Sequence, residues 1–105
     1  MFRLLTIIGD KKMLPEKRTS THPGEILLRE FLAPLELTQT ELAKHLGVPI
    51  QRINELVRGK RGVTPDTAWL LAKAFDTSPE FWMSLQTNYD LTSVNPPKGV
   101  KRLVA

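Results

Sequence analysis

Residues 37–60 constrain the fold most, because they contain two short helical patterns separated by a glycine turn. Thr38 and Glu41 stand at the spacing of a capping box, in which each side chain bonds a backbone N–H at a helix start. Gly47 can enter the left-handed conformation that ends a helix, and Gly59 closes the second pattern. Apolar residues keep helical spacing on both sides of the turn, namely Leu42, Ala43 and Leu46, then Ile53, Leu56 and Val57. This segment predicts a helix-turn-helix at about residues 38–58, whose second helix can enter the DNA major groove.

A further helix is predicted before this motif. It opens at Pro23, behind Thr21 or His22, because proline suits the first turn of a helix. Pro34 ends it, since proline removes a backbone donor and clashes inside a helix. Its inward face is predicted at Ile26, Leu27, Phe31 and Leu32.

Two more helices are predicted after the motif, each opened by a hydroxyl residue and a proline. The pairs are Thr64-Pro65 and Ser78-Pro79. The hydroxyl caps the helix, and the proline lacks only an N–H that has no partner in a first turn. Apolar residues at helical spacing predict the buried faces: Ala68, Leu71, Ala72 and Phe75 in one, and Phe81 or Trp82, Leu85 and Tyr89 in the other. Because no run in residues 21–91 alternates with the period of a strand, we predict an all-α domain of five helices there.

The chain outside this domain divides into an N-terminal extension, residues 1–20, and a C-terminal tail, residues 92–105. Residues 2–8 and 100–104 are apolar, rich in β-branched side chains and flanked by turn-forming residues, so each predicts a short strand. A lone strand is unstable, and we therefore expect the two to pair with each other or with a dimer mate. The alternative is that Met13 is the natural start and that residues 1–12 are incidental.

Composition limits the class of protein. A chain of 105 residues supports one domain with a modest core. It contains no cysteine, which excludes a disulfide framework, a thiolate metal site and a cysteine nucleophile. Residues 2–8 are too few to span a bilayer and lack the pattern of a signal peptide. We therefore expect a soluble, cytoplasmic protein without a membrane partner.

The net charge of +4 is unevenly distributed. Residues 1–20 carry +3 and residues 92–105 another +3, which leaves −2 for residues 21–91. A local cluster is more informative, because four cations face only Glu55 around the second helix of the motif: Arg52, Arg58, Lys60 and Arg61. Such a basic patch is what phosphate binding needs. The alternative is a solvated helix end whose cations face the negative pole of the helix dipole.

No group of residues suggests an active site. His22 and His45 do not have the spacing of metal ligands; we expect His22 at the start of the first helix and His45 partly exposed on the second. Residues 59–62 lack the preceding strand and the spacing of a phosphate-binding loop. The large aromatic residues with helical spacing are expected in the core or at a dimer surface: Trp69, Trp82 and Tyr89. We therefore predict a protein that is not an enzyme and that needs no metal or cofactor.

The motif resembles the Cro/C1-type (XRE) helix-turn-helix, through Thr-Gln-x-Glu-Leu-Ala-x-x-Leu-Gly-Val at residues 38–48 and Ile-x-x-Leu-x-x-Gly-Lys at residues 53–60. Residues 22–35, 64–75 and 77–91 narrow the resemblance to the HigA (VapI-type) antitoxins, while residues 1–20 and 92–105 fall outside it. The resemblance implies a lambda-repressor-like five-helix domain that binds operator DNA as a homodimer. It also implies neutralisation of a RelE/HigB-like toxin that cleaves mRNA.

The resemblance also implies which residues contact DNA. In the Cro/C1 arrangement the second helix of the motif begins near Pro49 and presents its first turn to base edges, which implies base-reading roles for Ile50, Gln51, Arg52 and Glu55. Gln51 can bond adenine with both amide atoms, Arg52 can reach guanine or a phosphate, and Ile50 can pack on a thymine methyl. Phosphate contacts are implied at the start of the first helix of the motif and after its second, at Thr38, Gln39, Arg58, Lys60 and Arg61.

Several alternatives stay open. Pro49 replaces the usual serine or threonine of the family and so removes a side-chain cap. Gln39 can be merely an early helix residue, and Glu55 can pair with Arg52 or Arg58 and never touch a base. A stand-alone repressor, or an interaction domain without DNA binding, would share the motif. We expect the dimer surface outside residues 38–61, on the last two helices or the terminal strands, with Trp69 or Trp82 as candidates.

Overall fold

The computed structural model describes residues 20–105, in which five helices follow one another. Helix α1 covers residues 23–32 and has an α-helical first part (Pro23–Ile26) that continues directly into a π-helical second part (Leu27–Leu32). It is followed by α2 (Gln39–Leu46), α3 (Ile50–Val57), α4 (Pro65–Phe75) and α5 (Pro79–Thr92). The described residues contain no strand, and none of their helices is long and apolar enough to cross a membrane. The predicted all-α, five-helix fold is confirmed.

The predicted helix starts are confirmed, because each predicted cap forms. The Thr38 hydroxyl accepts from the Glu41 N–H at 3.0 Å, and the Thr38 N–H donates to Glu41 Oε1 at 2.9 Å. The bond from the Thr38 N–H, and after it a bond from the Thr38 hydroxyl to Glu41 Oε1 at 3.1 Å, lower the pKa of Glu41. Thr64 and Ser78 accept from backbone N–H groups in the same way, each before a proline in the first turn.

Helix α1 ends in a widened turn that the sequence did not predict. The Ala33 N–H bonds the carbonyl of Leu28 at 2.9 Å, five residues back, and Leu37 bonds Leu32 at the same distance. Pro34 supplies a reason, because it has no N–H to donate and its ring must avoid the carbonyl four residues earlier. The helix therefore ends before Pro34, as predicted, but in π rather than α form.

One apolar core joins all five helices. Its buried side chains include Leu27, Leu32, Leu42, Ile53, Leu56, Leu71 and Trp82. Phe31 packs against Phe75 and Trp82, with ring centroids 5.0 and 5.1 Å apart. Trp82 is wholly buried and its indole N–H donates to the Thr77 hydroxyl at 2.8 Å. Its predicted position in the core is therefore confirmed, and the alternative of an exposed dimer contact is wrong. Trp69 remains a candidate, because 56% of its surface is exposed.

Helix α1 lies against the end of α3 at a position where only glycine fits. A Cβ atom on Gly24 would lie 2.6 Å from the carbonyl carbon of Leu56, closer still to the carbonyl oxygen, and 3.0 Å from Cα of Val57. All three are backbone atoms, which cannot swing aside as a side chain does. The first turn of α1 therefore supports the last turn of α3 directly, backbone against backbone.

The C-terminal tail does not form the predicted strand. Residues 94–105 have no regular secondary structure, and the apolar side chains of Val100, Leu103 and Val104 are exposed. A strand requires a partner, and within residues 20–105 none pairs with this segment. The strand predicted at residues 2–8 lies outside the described residues. The Ser20 N–H donates to the Thr92 hydroxyl at 2.8 Å, so the described chain begins beside the end of α5.

Candidate nucleic-acid interface

The outer face of α3 carries the predicted base-reading residues Ile50 and Gln51, and both side chains are exposed. Ile53 and Leu56, on the opposite face of α3, are buried and pack the helix against the core. Pro49 precedes the helix in an extended conformation and provides no side-chain cap. Helix α3 therefore presents a polar amide and a branched apolar side chain side by side in its first turn, a combination suited to base edges and thymine methyl groups.

The start of α2 has fewer free side-chain donors for phosphate than predicted. Gln39 is the first residue of the helix and is half-buried. The Thr38 hydroxyl accepts from the Glu41 N–H and also donates to Glu41 Oε1 at 3.1 Å. Its single hydroxyl proton is therefore in use, so Thr38 can donate to a phosphate only after it leaves Glu41.

The segment after α3 carries the exposed cations. Gly59 turns the chain in a left-handed conformation (φ 76°), and the N–H groups of Lys60 and Arg61 both bond the carbonyl of Glu55, at 2.8 and 3.2 Å. Arg58 and Lys60 are exposed, and within residues 20–105 neither has an ion-pair partner. Both therefore remain available for phosphate groups.

Two arginines near α3 are held by carboxylates, and the sequence revealed neither pairing. Arg61 donates through Nε and a terminal nitrogen to Glu55 Oε1, at 3.0 and 2.9 Å. Arg52 donates to Asp66 Oδ2 at 2.8 Å. Glu55 thus pairs with an arginine, as the alternative to base reading allowed, but the partner is Arg61 and not Arg52 or Arg58. The helical spacing rules missed the pair because Arg61 lies beyond the end of the helix.

The two histidines have separate positions. His22 caps α1 as predicted, because its Nδ1 accepts from the Gly24 N–H at 2.9 Å, and its ring meets Tyr89 edge-on with centroids 4.7 Å apart. Burial lowers the pKa of His22, against the opposing effects of Asp90 and Glu25. His45 is exposed on α2. The described part of the chain contains no group of histidines and carboxylates that could hold a metal ion.

Comparison with known proteins places this geometry in a family. The sequence model described as Helix-turn-helix matches residues 28–82. Virulence-associated protein I of Dichelobacter nodosus is 47% identical over 94 residues, which cover 90% of this chain and 83% of that protein. The chain therefore belongs to the Cro/C1-type helix-turn-helix family, and within it to the HigA (VapI-type) group.

Several solved structures similar to this chain have DNA in their descriptions. The Pseudomonas aeruginosa antitoxin HigA with the higBA promoter is 44% identical, with a TM-score of 0.68, and the match covers 70% of this chain and 79% of that one. The antitoxin GraA in complex with its operator is 38% identical, with a TM-score of 0.78, over 88% of this chain and 99% of that one. The five-helix arrangement is therefore shared with structures described as antitoxins on operator or promoter DNA.

Proposed function

We propose that this chain is a cytoplasmic antitoxin that represses transcription by binding operator DNA as a homodimer and neutralises an mRNA-cleaving toxin of the RelE/HigB type. The observation that carries the DNA-binding part is the exposed pair Ile50 and Gln51 on a helix whose other face is buried. The relatives described as antitoxins with operator or promoter DNA support it. The protein acts by binding, without catalysis and without a metal or cofactor.

Each DNA contact follows from the chemistry of one side chain. Gln51 bonds adenine with its amide oxygen and nitrogen, and Ile50 packs on a thymine methyl. Glu55 accepts from a cytosine amino group once Arg61 leaves it. Phosphate groups are bound by side chains at the start of α2 and after α3, namely Thr38, Gln39, Arg58, Lys60 and Arg61.

The homodimer places two copies of α3 in successive major grooves. One helix of eight residues contacts too few base pairs to select a site alone. Two copies related by a twofold axis would bind half-sites of a palindrome about 34 Å apart. The exposed Trp69 on α4, which lies outside α2 and α3, is our candidate for the centre of the dimer surface.

Neutralisation of a toxin rests on membership in the HigA group. The second candidate function is a stand-alone repressor, which would bind the same DNA without a toxin partner. Co-expression with the product of the adjacent gene distinguishes the two, because an antitoxin co-purifies with its toxin and restores growth. A repressor without a toxin partner does neither.

The DNA-binding proposal is tested by separating base contacts from phosphate contacts. The probe is a duplex enriched from a random-sequence library by the wild-type chain. Gln51→Ala should weaken binding to it by about 1–3 kcal/mol and relax preference at one base position. Lys60→Ala, the matched control, should weaken binding to all sequences alike and lower the salt slope by about one unit. Unchanged affinity for Gln51→Ala would show that α3 is not the reading helix.

A further inference from the structure

Arg52 belongs to the first turn of α3, yet its guanidinium points to the next helix. One terminal nitrogen donates to Asp66 Oδ2 at 2.8 Å and to the Thr67 hydroxyl at 2.7 Å. The Arg52 side chain is only 24% exposed, and Thr67 is buried. This terminal nitrogen therefore uses both of its N–H groups within the protein, on one carboxylate and one buried hydroxyl.

These bonds join the reading helix to the cap of α4. The Thr64 hydroxyl lies 3.3 Å from the Thr67 hydroxyl and accepts from the Thr67 N–H at 3.4 Å. Arg52 therefore bonds directly to the first turn of α4, whose geometry is itself fixed by the cap. By contrast, the backbone of α3 approaches α2 and α1 closely and α4 hardly at all. The Arg52 side chain supplies the polar connection on that side.

We propose that Arg52 is a positioning residue, which fixes the direction of the first turn of α3 through Asp66 and Thr67 and does not itself read DNA. This inference rests on the proposed DNA-binding function and replaces the base contact that the sequence suggested for Arg52. A recognition helix discriminates bases only if its side chains are held to within about 0.5 Å. Ile50 and Gln51 lie in the same turn as Arg52, so the ion pair determines where they meet the groove.

The alternative role makes the opposite prediction for Asp66. If Arg52 contacted DNA, the Asp66 carboxylate would compete with phosphate for it, and Asp66→Asn would release the arginine. Binding would then become tighter and its salt dependence steeper. If Arg52 positions α3, Asp66→Asn removes the charge that holds it, and binding to a selected site becomes weaker. Asp66 suits this test because its side chain is 74% exposed, so the substitution leaves the core intact.

The experiment measures two affinities for each variant by fluorescence anisotropy at several salt concentrations. One probe is the duplex enriched by the wild-type chain, and the other is a scrambled duplex of equal length and composition. The variants are Arg52→Met, Arg52→Lys, Asp66→Asn and the double variant Arg52→Met/Asp66→Asn. Arg29→Met is the matched control, because Arg29 forms an exposed ion pair with Glu25 at 3.0 Å on α1.

We expect Arg52→Met and Asp66→Asn to weaken binding to the enriched duplex about tenfold, since a misplaced contact can cost up to about a hundredfold. The double variant should bind the enriched duplex no more weakly than Arg52→Met, because Asp66→Asn removes an interaction that Arg52→Met has already removed. Arg52→Lys should fall between the wild type and Arg52→Met, because an ammonium can donate to both Asp66 and Thr67 but ends a shorter side chain. Affinity for the scrambled duplex and the salt slope should change little, and Arg29→Met should change neither affinity by more than about twofold.

Hydrogen exchange in the free protein provides a readout without DNA. The backbone N–H groups in the last turn of α3 bond carbonyls in the turn that carries Arg52. Arg52→Met should therefore accelerate their exchange more than it accelerates exchange of the N–H groups of α5. Two results would overturn the positioning role alone. One is tighter binding of DNA by Asp66→Asn. The other is that Arg52→Met loses equal affinity for both duplexes and lowers the salt slope by about one unit. Failure of the wild-type chain to enrich any sequence would refute the DNA-binding function and the positioning role together.

Discussion

Gly24 offers the sharpest test of how the recognition helix is supported. Alanine at this position would place a methyl carbon 2.6 Å from the Leu56 carbonyl carbon and 3.0 Å from Cα of Val57. Carbon atoms in contact are ordinarily about 3.5–4.0 Å apart and the Leu56 carbonyl oxygen lies closer still, so the two backbones must separate by at least about 1 Å. That movement would open the packing around Leu27 and Leu56, which are both buried.

The size of the effect follows from two opposing contributions. Overpacking in a close-packed interior costs about 1–3 kcal/mol, and the upper end applies here because neither backbone can yield easily. Alanine is favoured over glycine inside a helix by up to about 1 kcal/mol, which offsets part of that cost. We therefore expect Gly24→Ala to lower the free energy of unfolding by about 2 kcal/mol. For a domain of this size that corresponds to a fall in Tm of roughly 8–16 °C.

Thermal unfolding followed by circular dichroism at 222 nm measures this change, with Gly47→Ala as control. Gly47 has a left-handed φ of 72° but no atom within 4 Å of its added Cβ. Its substitution should therefore cost only the conformational strain, about 1 kcal/mol. The smallest expected response is about 4 °C per kcal/mol. If Gly24→Ala melts within about 2 °C of the wild type, the substitution costs too little for α1 to approach α3 as closely as described.

Three further predictions concern the interface and its surroundings. Glu55→Gln should tighten binding to scrambled DNA by up to about 1 kcal/mol, the strength of the exposed ion pair that Arg61 otherwise breaks to reach a phosphate, whereas Glu80→Gln on α5 should leave it unchanged; weaker binding would contradict this. Protonation of His22 removes the acceptor that caps α1, and its pKa is lowered in the folded state. Stability should therefore be complete above the ordinary value of 6.5 and decline as pH falls through the lower folded pKa. His22→Asn should flatten that decline in urea titrations, since asparagine also caps helices. Trp69→Lys should weaken the dimer about thirtyfold in sedimentation equilibrium, the loss typical of an interface hot spot; an unchanged dissociation constant would place the dimer surface elsewhere.

The helix starts could be predicted from the sequence because their causes are local. Thr38 and Glu41 satisfy each other across three residues, and Ser78 caps a helix that Pro79 opens. The burial of Ile53 and Leu56 likewise follows from their spacing, which fixes the outward face of α3. The position of α3 and the exposure of Ile50 and Gln51 were therefore accessible without coordinates, whereas the partial burial of Arg52 was not.

The contacts between helices were not accessible in this way. Arg52 and Asp66 are 14 residues apart, and nothing in their sequence neighbourhood indicates that α3 and α4 bring them together. The need for glycine at position 24 arises from a helix 32 residues further along the chain. The strand predicted at residues 100–104 failed for a related reason, because β-propensity describes a segment while a strand requires a second one.

The two tryptophans differ strongly in their exposure to solvent. Trp82 is wholly buried, bonds Thr77 and packs against Phe31 and Phe81, whereas Trp69 is more than half exposed on α4. Their fluorescence should therefore separate into a short-wavelength component that acrylamide does not quench and a long-wavelength component that it does. Because one residue reports the interior and the other the outer surface of α4, a single emission spectrum can distinguish loss of the fold from the arrival of a partner.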